Sequence, residues 1–84
     1  MNDQWKPVLD KLEKLRQRAV EIKTDNDILS AIEKIEMPES LRELIRSVPI
    51  STGTVNSPAA GLTVNLAERT ITRIIKTIQD YKGE

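Results

Sequence analysis

Apolar residues recur at alternating spacings of three and four at both ends of this chain, and that period is the strongest constraint on its fold. Near the start, Trp5, Val8, Leu12, Leu15, Ala19 and Ile22 trace the a/d seam of a heptad helix, with Leu9 and Val20 widening the stripe. Near the end, Ala67, Ile71, Ile74, Ile78 and Tyr81 repeat the pattern, broadened by Ile75. Two such seams in 84 residues predict a first helix over about 3–23 and a last over about 66–81, forming an antiparallel pair. Asn2 or Asp3 can cap the first helix, and Pro7 is tolerated in its first turn, where a missing N–H is no loss. Asn65 followed by Glu68 is a capping pair for the last.

Two shorter helices are expected between them. Thr24-Asp25-Asn26-Asp27 reads as a stop followed by a start, because these side chains compete for backbone hydrogen bonds. A helix over about 26–36 then carries Ile28, Ala31 or Ile32, and Ile35 on one face. Pro38 removes a donor and pushes Met37 away from helical angles, giving either a kink or a new helix over about 38–47. That piece gathers Leu41, Leu44, Ile45 and Val48, and Pro49 closes it. The expected architecture is mainly α: one domain over 1–84, a bundle of three to four helices, with an uncharged loop or short β-ribbon at 49–65.

That loop lies inside a run from Ser47 to Ala67 with no charged residue, although the chain carries 13 basic and 13 acidic side chains. Pro49, Gly53, Pro58 and Gly61 exclude a helix there. Leu62, Val64 and Leu66 alternate with polar residues, and so do Val48, Ile50 and Thr52, which is the period of a strand. A hairpin closes either tightly around Thr52-Gly53 or openly across a longer loop. Structureless loops longer than about 12 residues are uncommon in compact domains and tend to be functional or disordered, and Ile50, Val55, Leu62 and Val64 give this one something to bury, which favours a docked loop or short ribbon. Thr52, Gly53, Thr54, Val55, Asn56 and Ser57 are therefore the candidate partner loop.

Composition narrows the function. The core must come from ten Ile, eight Leu and five Val, since there is no Phe and only one Trp and one Tyr. Ordering costs roughly 1.5 kcal/mol per residue, so a domain this small recovers little surplus from burial alone. With no Cys or His, disulfides are absent and the common transition-metal sites lose their usual ligands. That leaves partners, most simply further copies of the chain. The seam residues Trp5, Val8, Leu12, Leu15, Ile71, Ile74, Ile78 and Tyr81 then have two readings: a face toward the chain's own core, or a self-association face.

The same absences weigh against an enzyme, because His and Cys carry much of the acid–base and covalent chemistry available near neutral pH. The pairs Glu33 with Glu36 and Glu39 with Glu43 sit at helical spacing among basic residues, as on a solvated face. Ser51-Thr52-Gly53-Thr54 lacks the Gly-Lys-Ser/Thr end of a phosphate loop. No cofactor or metal is expected. No apolar run is long enough to cross a bilayer, and the first residues lack a signal peptide's pattern, so the cytoplasm is the expected location.

The expectation is thus a non-enzymatic protein-interaction module, a self-associating small subunit or an adaptor or regulator. Its rival from another class is a nucleic-acid-binding regulator using two basic stripes. Lys11, Lys14 and Arg18 form one at i, i+3 and i+7, and Arg69, Arg73 and Lys76 the other at i, i+4 and i+7. The net charge of zero disfavours that rival.

Overall fold

The structure is a computed structural model describing residues 5–57 and 62–81. In chain order the elements are α1 (Lys6–Gln17), α2 (Asp25–Glu33), α3 (Glu39–Arg46), β1 (Thr54–Ser57), β2 (Leu62–Asn65) and α4 (Leu66–Asp80). The mainly helical bundle with a small antiparallel ribbon is the architecture that the periodicity predicts.

Both heptad seams face inward. Val8, Leu12, Ala19 and Ile22 are buried against the same core as Ala67, Ile71, Ile74 and Ile78, and α1 packs along α4. Trp5 and Tyr81 stack at the open end of this pair, ring centroids 5.4 Å apart and 21° from parallel. That contact joins the start of α1 to the end of α4, so the helices run antiparallel. It also gives the core's only aromatic pair a geometry worth about 0.5–1.5 kcal/mol beyond its buried area. Ile71, Ile74, Ile75 and Ile78 carry a helix-propensity cost through β-branching. Tertiary burial offsets it: Ile71, Ile74 and Ile78 are essentially inaccessible, and Ile75 packs at the margin.

The first helix is shorter than its seam. It ends at Gln17, and Arg18 leads into a single 3₁₀ turn at Ala19–Glu21, with Glu21 N–H bonding to Arg18 O and Ile22 N–H to Ala19 O, each at 3.0 Å. A 3₁₀ turn places i and i+3 on one side, which keeps Ala19 and Ile22 buried beyond the α-helix. The same rewinding turns Val20 outward to 69% exposure, so Val20 does not widen the stripe. Trp5 occupies the N-cap position without a side-chain cap, and the expected caps Asn2 and Asp3 lie outside the described residues.

Thr24 opens α2 with a full capping box. Its Oγ1 accepts from Asp27 N–H, and Asp27 Oδ2 accepts from the N–H groups of Lys23 and Thr24, all at 3.1 Å. Pro38 does not kink this helix, which has already ended at Glu33; it is the N-cap of α3, extended at φ −60° and ψ 149°. Its carbonyl accepts from Leu41 and Arg42. Arg42 Nη2 also donates to Ile35 O at 2.8 Å, tying α3 to the turn before it. Ile28, Ile32, Ile35, Leu41, Ile45 and Val48 complete the core from these two helices.

Residues 1–24 carry six basic and four acidic side chains and residues 25–48 three and six, yet among the described residues no ion pair joins the two segments. Among the described residues the ion pairs are local: Arg16 with Glu13, Arg18 with Glu21, and Arg46 with Glu39. Packing, rather than charge, sets the arrangement of the helices.

Candidate functional site

Three surfaces carry the residues singled out in the sequence. The first is the ribbon. β1 and β2 pair antiparallel in the register Thr54↔Asn65, Val55↔Val64, Asn56↔Thr63 and Ser57↔Leu62. Leu66 N–H donates to Gly53 O at 2.9 Å, closing the ladder at the foot of the ribbon. Because hydrogen-bonded pairs alternate in an antiparallel ladder, Val55 and Val64 form the next such pair. Gly53 supplies the entry turn at φ +90°, a left-handed value that a side chain resists.

This hairpin is neither of the two expected, since it does not close around Thr52-Gly53 and its first strand is Thr54–Ser57 rather than Val48–Thr52, and it corrects two sequence expectations. Val48, Ile50 and Thr52 alternate like a strand but do not form one. Val48 bonds back to Ile45 O and is buried with α3, while Ser51 N–H and Ser51 O both engage Thr70 Oγ1, at 3.1 and 3.0 Å. Thr52 Oγ1 donates to Asp25 Oδ1 at 3.0 Å. These bonds tie the segment to α4 and α2. The candidate partner loop, Thr52 to Ser57, is correspondingly not a tip: Thr52 is half-buried, Gly53 is the turn, and Thr54 to Ser57 are β1. The turn between the strands, including Pro58, lies outside the described residues.

Each strand packs chiefly on the other. Thr54, Val55 and Asn56 are exposed, Val55 to 48%, and Val64 opposite it is half-buried. Thr54 and Asn65 line a groove with Val20, Ile22, Lys23 and Gly53. Alternation along the strands puts the Val55–Val64 pair on the other face of the ribbon. Asn65 then serves α4, its Oδ1 accepting from Glu68 N–H at 3.0 Å, so the capping pair read from the sequence forms on the helix side.

The second surface is the set of seam residues. Trp5, Val8, Leu12, Ile71, Ile74 and Ile78 are buried in the chain's own core, with Leu15 and Tyr81 packed at its margin. Of the two readings, the intramolecular one describes where these side chains lie.

The third surface is basic. Lys11, Lys14 and Arg18 line a shallow groove with Lys34, the C-cap of α2, over a floor of Leu15, Ala31 and Ile35. Arg69, Arg73 and Lys76 line a separate shallow depression on α4 with Glu68 and Thr72. The two stripes share no lining residue, so the fold does not merge them into one track. Among the described residues none of these cations except Arg18 has an ion-pair partner within 4.0 Å; Arg18 Nε bonds Glu21 Oε2 at 3.1 Å. Lys34 escaped the sequence reading because it caps the end of a different helix, and only the fold brings it beside the α1 stripe.

A fourth feature had no sequence signal. Leu29, Ile32, Ile45, Val48 and Ile50 line an apolar cleft of about 150 Å³ between α2 and α3, bordered by Glu33, Arg42 and Arg46. The Asp27 side chain has a clear shift in acidity. The N–H groups of Lys23 and then Thr24 hold its carboxyl below the ordinary value of 3.8. Among the described residues no group of three or more carboxylates is placed to hold a metal ion, and no helix is long and apolar enough to cross a membrane. Compared with protein-family models, curated proteins and solved structures, the chain matches none.

Proposed function

We propose that this chain is a non-enzymatic protein-association module of the cytoplasm that self-associates by packing its uncharged ribbon against the ribbon of a second copy. One observation carries this reading: a two-stranded sheet stands on the helical body with each strand packed chiefly on the other and an exposed Val at its centre. Two strands alone are marginal in water, and three or more with an apolar face are needed for independent stability. Exposed sheet edges are ordinarily guarded by Lys, Pro or other charged positions. The described strand residues carry no charge. Two copies meeting through their Val55–Val64 faces bring together four strands without opposing like charges. The Pro, Gly and Thr composition that excludes a helix thus leaves a surface that a second copy completes.

Sedimentation velocity over a range of concentrations tests the reading. The expected result is a reversible dimer for the native chain and a monomer for Val55→Lys, both with the same helical circular dichroism. A monomer throughout, or a dimer that Val55→Lys leaves intact, overturns it. A nucleic-acid-binding regulator remains the second reading. It draws on the six cations of the two basic stripes, and a steep loss of DNA binding with rising salt is its signature.

A further inference from the structure

We propose that the basic groove between α1 and α2 receives an acidic amphipathic helix of a partner protein, a site independent of the ribbon. Four cations rim it, Lys11, Lys14, Arg18 and Lys34, and no carboxylate is among its lining residues. Among the described residues the three lysines have no ion-pair partner, so their charge is not neutralised within the fold. A zero net charge for the chain therefore conceals a local positive field.

The floor decides which anion fits. Leu15 and Ala31 are half-buried and Ile35 is buried, giving the shallow groove an apolar base. An occupant with an apolar stripe gains area on that base, and one with acids flanking the stripe meets the rim. Lys11, Lys14 and Arg18 span seven residues, about 10 Å along α1 at 1.5 Å per residue. That is two turns, the distance over which a helix laid alongside presents acids at i, i+3 or i+4, and i+7. Nucleic acid would use the rim but not the floor, which offers no aromatic ring for a base to stack on.

Fluorescence anisotropy tests the assignment with three labelled probes: an amphipathic helical peptide of Leu and Glu, its Leu and Lys counterpart, and mixed-sequence DNA. The native chain is expected to bind the acidic peptide and not the basic one. Lys14→Glu with Lys34→Glu should weaken that binding about tenfold or more, each reversal turning an attraction into a repulsion. Arg73→Glu with Lys76→Glu, on the α4 depression, should leave it unchanged. Lys14→Gln with Lys34→Gln removes charge without adding repulsion, and should weaken binding in the same direction if the reversed pair fails to fold. Equal binding of both peptides, binding indifferent to both Lys14/Lys34 double variants, or DNA bound more tightly than the acidic peptide through these lysines overturns the proposal. The dimer expected of the ribbon should survive both Lys14/Lys34 variants, and acidic-peptide binding should survive Val55→Lys, so the two readings fail separately.

Discussion

The α1–α4 pair and the β1–β2 ribbon are both antiparallel pairings of two elements, yet one forms the buried core of the molecule and the other lies at its surface. The helices meet through side chains that are nearly all buried, and Leu41 and Ile45 of α3 and Ile28 and Ile32 of α2 cover what the pair leaves open. The ribbon has a complete register, but Val55 at its centre is exposed and Val64 opposite it only half-buried. Pairing satisfies backbone groups in both cases, whereas stability comes from apolar area removed from water, and only the helices remove much. The contrast separates the part of the chain that holds the fold from a part that is paired but left partly exposed.

The strongest way to break this contrast is to charge the helical seam. Ile74 is inaccessible, and Ile74→Asp places a carboxylate where neither water nor a cation can reach it. The expected cost is above about 4 kcal/mol, a large share of the stability of a domain this size, and helical circular dichroism should be lost. Leu12→Asp, on the facing helix, should act in the same way. Native-like ellipticity in either variant would show that the seam is not the core.

Gly53→Ala probes the ribbon and should do far less. The added Cβ meets nothing within 4 Å, so the cost is confined to holding a side chain at φ +90°, about 1–2 kcal/mol. That penalty should fall on the ribbon alone. Amide exchange should quicken for Val55 and Val64 while Leu12 and Ile74 keep their protection. A uniform loss across all four amides would instead mean that the ribbon and the bundle unfold as one unit.

Between these in kind, though smaller again in expected size, is the cap that lets the chain turn from α1 into α2. Thr24→Ala removes the acceptor for Asp27 N–H and should cost about 1 kcal/mol, read as a lower urea midpoint with an unchanged slope.

The sequence made the helices legible because each seam carries its own period and because Thr24 and Asn65 cap the starts of α2 and α4. It was least informative where one local signal has two tertiary outcomes. Val48-Ile50-Thr52 and Leu62-Val64 show the same alternation, but Val48 closes the end of α3 and Ser51 is held by Thr70, a residue nineteen positions away on α4. No window of sequence contains both partners of that bond. The end of α1 was obscured for a related reason: the seam continues through Ala19 and Ile22 whether the backbone is α or 3₁₀, because a spacing of three suits both. The basic groove shows the same limit, with three cations on one helical face and the fourth contributed by packing.

The smallest expected effect concerns Asp27, and its sign follows from its hydrogen bonds. The N–H groups of Lys23 and Thr24 stabilise the carboxylate, so its folded value lies below the ordinary 3.8 of the unfolded chain. The unfolded state therefore binds its proton first as pH falls, and the contribution to stability is fully present above that value. It fades as pH drops from about 3.8 through the lower folded value. Asp27→Asn keeps an acceptor but loses the charge, so the native chain should be the more stable of the two near neutrality, with the gap closing in acid. Urea midpoints measured for both proteins from neutral pH downward will show it. A gap that widened on acidification would mean that the carboxylate is better stabilised in the unfolded chain, and that the turn between α1 and α2 is held by the seam on either side of it rather than by its own capping box.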